Sequence, residues 1–217
     1  MAPIKYEPVI TVSATYGTGG SVIAPRLAME LELPFIDRLI SVDAANNPES
    51  TGSEEGLVEG EREATPTGRF LSYFARAATV GVVVGPEPDL PADADIRART
   101  QSALQPLRAG AAGVVLGRAG AIVLATRPRA YHVRLDGPAE RRIAWAAPFE
   151  HLDPESARRR QAETDRVRTS FVKKLYRTDP ANPTLYHMVL DSTVIGIDTA
   201  VEVIKTAASA FFATPVQ

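Results

Sequence analysis

The 217-residue chain contains no cysteine, which excludes a disulfide framework, thiolate metal sites and a thiol nucleophile. It has little net charge: 24 Lys and Arg against 26 Asp and Glu leave −2 at neutral pH, an argument against a general nucleic-acid binder. Long hydrophobic runs are missing too. The most apolar tract, Gly110 to Ala125, is broken by Arg118 and is too short to cross a bilayer. The opening residues, Met1 to Pro8, lack the apolar core of a signal peptide, so no membrane partner is expected and the cytoplasm is the expected compartment. What is present is ordinary for a soluble globular protein, 45% hydrophobic and 23% charged residues, in a length that suits one α/β domain with an inserted lobe.

The most informative stretch is Val9-Ile-Thr-Val-Ser-Ala-Thr-Tyr-Gly-Thr-Gly-Gly-Ser21. Val9 to Val12 is β-branched and uncharged and reads as a buried strand. Gly17, Gly19 and Gly20 allow a sharp turn with positive φ that turns backbone N–H groups outward. Ile23, Leu27 and Leu31 then recur at helical spacing, so the turn opens a helix whose N-terminus carries partial positive charge. Strand, glycine turn and helix make an anion cradle from main chain alone. Tyr16 to Ser21 is therefore expected to hold a nucleotide phosphate.

Farther along, Leu33 to Asp37 reads as a short strand. Asp43 to Pro66 holds seven acidic residues and one basic residue and reads as a solvated insertion. Helical periodicity returns over Thr67 to Ala78, Val80 to Val84 could be a strand, and the Pro- and Asp-rich stretch Pro86 to Asp95 ends it. A helix is expected over Asp95 to Leu107, perturbed by Pro106. Gly113 to Gly117 and Ala130 to Leu135 read as buried strands. In the second of these Tyr131, Val133 and Leu135 alternate with the more polar His132 and Arg134. Helices are expected over Ala139 to Ala147 and Pro154 to Tyr176. Met188 to Asp191 is a last strand, and Ile197, Val201, Ile204, Ala208 and Phe211 mark a closing amphipathic helix. Strands alternating with helices predict a parallel sheet covered on both faces.

Against the Walker A pattern G-x-x-x-x-G-K-[ST], Gly19 and Ser21 are in place, but Ala14 replaces the leading glycine and Gly20 stands where the lysine belongs. Against the dinucleotide pattern G-x-G-x-x-G, Gly17 and Gly19 fit and Val22 replaces the third glycine, while Asp37 sits where that fold keeps a ribose-binding acid. A tight turn with no ligand is the third reading.

The blocks Ile10-Thr-Val-Ser-Ala-Thr-Tyr-Gly-Thr-Gly-Gly-Ser21, Leu33-Pro-Phe-Ile-Asp-Arg38, Val115-Leu-Gly-Arg-Ala-Gly120, Asp136-Gly-Pro-Ala-Glu-Arg-Arg142, Glu163-Thr-Asp-Arg-Val-Arg168 and Leu190-Asp-Ser-Thr-Val-Ile-Gly-Ile-Asp198 occur in that order. Together they resemble the cytidylate kinase-like family, a branch of P-loop nucleoside monophosphate kinases whose loop has paired glycines in place of the Walker lysine. The match breaks down mainly in Asp43 to Asp95. The resemblance implies an α/β fold of three layers: a P-loop NTPase-like parallel sheet with helices on both faces, an acceptor-binding insertion and an arginine-rich lid. It implies one domain over residues 1–217, with a core at about 8–36, 96–138 and 186–213, the insertion at about 37–95 and the lid at about 139–185. The implied activity is transfer of the γ-phosphate of ATP, with Mg2+, to a nucleoside monophosphate, CMP or dCMP first.

By the same resemblance, Tyr16, Gly17, Thr18, Gly19, Gly20 and Ser21 would surround the donor phosphates, with Ser21 on Mg2+. Asp37 and Arg38 begin the acceptor region, and Arg118 would grip the acceptor phosphate. Arg141 and Arg142, then Arg166 and Arg168, resemble lid arginines, one of them oriented by Asp165. Arginine suits phosphoryl transfer because guanidinium is planar, always charged and bidentate toward phosphate. Each residue also has a plainer reading: Arg118 as a cap of the sheet, Asp37 as a turn residue, and Arg166 or Arg168 as the partner of Asp165 or Glu163. The run Arg158 to Arg160 reads as a solvated helix face. His132, His151 and His187 read as structural or surface residues, and Tyr131, Phe171 and Tyr176 as packing. The chain departs from cytidylate kinases proper at Leu116 and Ala119, where they carry aspartates for the metal shell and the base. A lid arginine, or an arginine from a second subunit in a homodimer, could cover the missing lysine. A degenerate nucleotide-binding protein of the same fold is the alternative to the kinase, and a dinucleotide binder is the remaining one.

Overall fold

Five short apolar segments line up side by side, and the first of them in sequence takes the middle. The computed structural model describes residues 5–37 and 93–214. In them the chain runs β1 (Val9–Ala14), α1 (Gly20–Glu30), β2 (Phe35–Ile36), α2 (Asp93–Arg108), β3 (Gly113–Leu116), α3 (Gly120–Val123), β4 (Ala130–Asp136), α4 (Ala139–Phe149), α5 (Pro154–Tyr176), β5 (Met188–Asp191) and α6 (Ser192–Ala213). The sheet order is β2-β3-β1-β4-β5, and every pairing is parallel. A parallel sheet needs cover on both faces, and the core accordingly divides in two. On one face Ile10, Val12, Val114, Leu116, Val133 and Leu135 pack with Ile23, Leu27, Val201 and Ile204 of α1 and α6. On the other Val9, Val115 and Ala130 pack with Leu104, Leu107 and Leu124. The expected readings of Asp43 to Pro66, Thr67 to Ala78 and Val80 to Val84 fall outside the described residues, as does Arg38.

Most elements lie where the apolar periodicity places them. The helix α5 starts where Asp153 accepts hydrogen bonds from the N–H groups of Glu155 and Ser156, both at 3.0 Å, with Pro154 in the first turn. Two differences have physical causes. Ahead of the closing helix stands an extra helical turn from Ser192, which Asp191 caps through the Thr193 N–H; the non-helical Gly196, φ 78°, separates the two, so the helix proper starts at Ile197 as its periodicity indicates. The short α3 has four residues, too few to show a period.

The polar side of β4 does not face water. His132 and Arg134 are as buried as their apolar neighbours. Arg134 donates to Asp136 and to the Pro180 carbonyl and lies over the Tyr186 ring. His132 Nδ1 meets Thr11 Oγ1 at 2.8 Å, its main-chain N–H donates to His187 Nδ1 at 3.0 Å, and the two imidazoles stack at 5.0 Å. Tyr131 and Phe211 close the group around His187. Burial, and then the neighbouring His187, push the His132 pKa down from 6.5 to about 4. Below pH 6.5 the unfolded chain therefore takes up a proton that the folded chain refuses, so stability falls as pH falls. The loss from His132 is about 2 kcal/mol at pH 5 and about 3 kcal/mol at pH 4. Urea midpoints measured from pH 7 to pH 4.5 should fall accordingly, and His132→Asn should flatten the profile. An equally steep profile in the variant would refute the assignment.

Candidate active site at the carboxyl edge of the sheet

All five parallel strands end at one edge, and the described segments that follow β1, β3, β4 and β5 start from it. The turn after β1 is shaped by close approach. Gly17 has φ 74°, and a Cβ on it would lie 2.2 Å from the main-chain oxygen of Arg142. The backbone of α4 rests directly on the loop, and no side chain fits between. Gly20 is held by a different neighbour: a Cβ there would lie 2.4 Å from the Cβ of Ala14. The two departures from the Walker pattern are thus one event. A methyl group at the leading position occupies the space from which a side chain at position 20 would start, so alanine at 14 and glycine at 20 fit only together.

At the N-terminus of α1 the N–H groups of Gly19, Gly20 and Ser21 have no acceptor among the described residues. They are the orphan donors of a helix start and point to an anion. The Ser21 side chain is exposed beside them. Thr18 is buried and braces the turn, its hydroxyl donating to the Thr15 carbonyl at 2.8 Å while the Thr18 carbonyl accepts from Ser192 Oγ at 2.7 Å.

The α4–α5 hairpin clamps this loop. The Tyr16 N–H donates to Asp165 Oδ1 at 2.8 Å, and Arg142 Nη1 donates both to the Tyr16 carbonyl and to Asp165 Oδ2, each at 2.7 Å. Arg142 Nε holds the Gly137 carbonyl and Gln161 supports Asp165. One residue of the loop, Tyr16, is thus held at its N–H and at its carbonyl by the two members of a largely buried ion pair. Tyr16 repeats the contact with its phenol, which donates to Glu150 Oε2 at 2.9 Å. One turn beyond Asp165, Arg168 Nη1 donates to the Ala14 carbonyl at 3.3 Å, which brings a guanidinium to the leading position of the loop.

The remaining sequence-predicted arginines are placed differently. Arg141 is exposed and pairs with Asp191 at 2.5 Å, at the start of α6. Arg166 is exposed on α5. The run Arg158 to Arg160 is paired with Glu140, Glu155 and Glu150 in turn, as a surface helix would be. Asp165 orients Arg142, a partnership spanning 23 residues of sequence.

After β3 the chain takes three left-handed residues in succession, Gly117 at φ 71°, Arg118 at 53° and Ala119 at 49°. For each of the two non-glycine residues this costs about 1–2 kcal/mol. Their reward is position: Arg118 Nε donates to the Asp37 carbonyl just past β2, so the two acceptor-side residues expected from the sequence meet. Burial lowers the Arg118 pKa, and the Asp37 charge opposes it. The guanidinium stays charged in either case. Leu116, where cytidylate kinases proper carry a metal-supporting acid, is only 1% exposed and belongs to the core. Among the described residues no group of three His, Asp or Glu could hold a metal ion.

This fold and this edge define the class, a kinase-like P-loop protein. The chain belongs to the cytidylate kinase-like family, whose model matches residues 9–194. Among solved structures it is similar to an uncharacterized protein from Eubacterium ventriosum ATCC 27560, with 14% identity, 94% of this chain and 99% of that one covered and a TM-score of 0.63. It is also similar to the shikimate kinase from Bacteroides thetaiotaomicron, with 10% identity, 93% and 98% covered and a TM-score of 0.51. At these identities the likeness speaks to the fold. Comparison with curated proteins gives no match. No described helix is long and apolar enough to cross a membrane.

Proposed function

We propose that the protein transfers the terminal phosphoryl group of ATP to a small phosphorylated acceptor, a nucleoside monophosphate with CMP and dCMP first to be tried. The observation that supports this most is that the loop donors at Gly19 to Ser21, without acceptors among the described residues, stand at the same edge of the sheet as Arg168, which reaches the Ala14 carbonyl, and Arg118, which reaches the Asp37 carbonyl. In the reaction an acceptor oxygen bonds to the γ-phosphorus while the bond from phosphorus to the β,γ-bridging oxygen breaks, and ADP leaves with that electron pair. Such a transition state needs positioning and charge neutralisation more than covalent help. Loop N–H groups would hold the donor phosphates, Arg168 would supply the cation that the loop itself lacks, and Arg118 would hold the acceptor phosphate beside Asp37. The Arg142–Asp165 clamp positions the loop and need not touch substrate. Mg2+ bound with ATP would neutralise charge on the donor phosphates, with Ser21 as its protein contact.

ADP formation with Mg·ATP and each of CMP, dCMP, UMP and AMP tests the reading; no turnover with any acceptor would remove it. The absent lysine favours a second reading, nucleotide binding without transfer, which predicts a raised Tm with ATP or CMP and no ADP. Arg118→Ala should separate the two halves of the site. Loss of a charge-assisted pair should weaken acceptor binding about 10- to 100-fold and ATP binding little. Equal losses for both ligands, by calorimetry, would break the assignment of Arg118 to the acceptor.

A further inference from the structure

The stripe of α4 that faces the loop continues past it into solvent. Arg142, Trp145, Ala146 and Phe149 share this face, at the i, i+3, i+4 and i+7 spacing of a helix. Arg142 and Ala146 are buried, Trp145 is half-buried, and Phe149 is 70% exposed. The indole and the phenyl ring stack, with centroids 4.8 Å apart and planes at 27°. Core packing explains the inner two residues and leaves the outer pair without a reason.

The pair is fixed to the glycine loop at two points. Trp145 Cη2 lies 3.2 Å from where a Cβ on Gly19 would be, next to Ile197 of α6. Glu150, adjacent to Phe149, accepts the Tyr16 phenol. Val194, near Ile197 in sequence, is 64% exposed. An aromatic ledge thus stands in set register with the main-chain donors at the start of α1. A ligand whose phosphates sit on those donors and whose flat, apolar end reaches the ledge is a nucleotide.

We propose that Trp145 and Phe149 form a stacking shelf for the base of the donor nucleotide. The proposal rests on the loop taking that nucleotide's phosphates. A shelf of π faces reads stacking area and not base edges. Purine triphosphates should therefore bind alike, pyrimidine triphosphates several-fold more weakly, and inorganic tripolyphosphate more weakly still.

Trp145 is the one tryptophan of the chain, so emission from the intact protein reports on the shelf directly. Mg·ATP, Mg·GTP, Mg·CTP and Mg·tripolyphosphate are titrated with fluorescence and heat followed together. The nucleotides should quench Trp145, and tripolyphosphate should bind with heat, without quenching and roughly 5- to 100-fold more weakly than ATP. Phe149→Ala, at an exposed position, should weaken ATP by part of that factor, since Trp145 remains, and leave tripolyphosphate unchanged. If ATP and tripolyphosphate bind equally well and Phe149→Ala changes neither, the shelf is not used, although the kinase reading stands. If no phosphate ligand gives heat, the kinase reading falls and the shelf with it. An emission shift that grows with protein concentration alone, together with a dimer in sedimentation, would give the shelf to a second copy and overturn the proposal.

Discussion

Arg168→Ala is expected to cut phosphoryl transfer about 10²- to 10³-fold, the usual cost of removing one preorganised charge or donor from a transition state. A lysine restored at position 20 is expected to recover much of that loss, but only if Ala14 becomes glycine as well. The reason is steric. Any Cβ at position 20 meets the Ala14 methyl at 2.4 Å, a distance neither can accommodate without moving the loop. Gly20→Lys alone should therefore displace the loop and lower Tm, whereas Ala14→Gly/Gly20→Lys should fold. In the double variant a lysine leaves from the start of α1 toward the phosphates, the place Arg168 now approaches from α5 through the Ala14 carbonyl. ADP formation is compared across Arg168→Ala, Arg168→Lys and Ala14→Gly/Gly20→Lys/Arg168→Ala, with Mg·ATP affinity measured by calorimetry. Full activity in Arg168→Ala would end the idea that this guanidinium replaces the lysine. Failure of the triple variant to exceed Arg168→Ala, with Tm preserved, would show that the cation acts elsewhere.

The same geometry explains what could be read in the sequence and what could not. Strands announced themselves because Val9 to Val12 and Gly113 to Leu116 are buried on both faces and so carry no charged residue to disguise them. The first βα turn was legible because its glycines answer to backbone constraints, positive φ and close approach, that glycine alone meets. Arg118 and Asp37 were each singled out through the resemblance, but their contact, across 81 residues, was not legible. Illegible were contacts whose partners are distant main-chain atoms: the grip of Arg142 and Asp165 on the Tyr16 peptide crosses more than 120 residues, and peptide groups have no sequence signature. In Ala130 to Leu135 the alternation showed that His132 and Arg134 are the more polar side of a buried strand, but period-2 patterning does not reveal which segment, here Pro180 to His187, covers it. The Ala14–Gly20 exchange was visible as two separate defects; only the distance between them makes it one.

Arg127→Leu is expected to destabilise the protein by about 3–5 kcal/mol, the range seen when a buried, fully engaged charged group loses its network. Nothing in the sequence marks this residue, which lies far from the glycine loop, where the strands begin. Only 8% exposed, its guanidinium donates to five main-chain carbonyls: Nε to Leu107 at 2.6 Å, Nη1 to Pro128 at 2.8 Å and Arg129 at 3.3 Å, and Nη2 to Glu7 at 2.7 Å and Ala111 at 2.8 Å. It also lies 5.3 Å from the Tyr6 ring. Those carbonyls belong to the segment before β1, the end of α2, the turn into β3 and the turn into β4, so one side chain ties four chain segments where the strands begin. Leucine would leave the carbonyls buried without donors, each costing on the order of 1 kcal/mol or more. Lysine keeps the charge but has three donors on one atom and cannot reproduce the planar fork. Arg127→Lys should therefore recover less than half of the loss. Urea unfolding of both variants measures this, and a shift under about 1 kcal/mol for Arg127→Leu, within the range of ordinary surface substitutions, would mean that water replaces the guanidinium there.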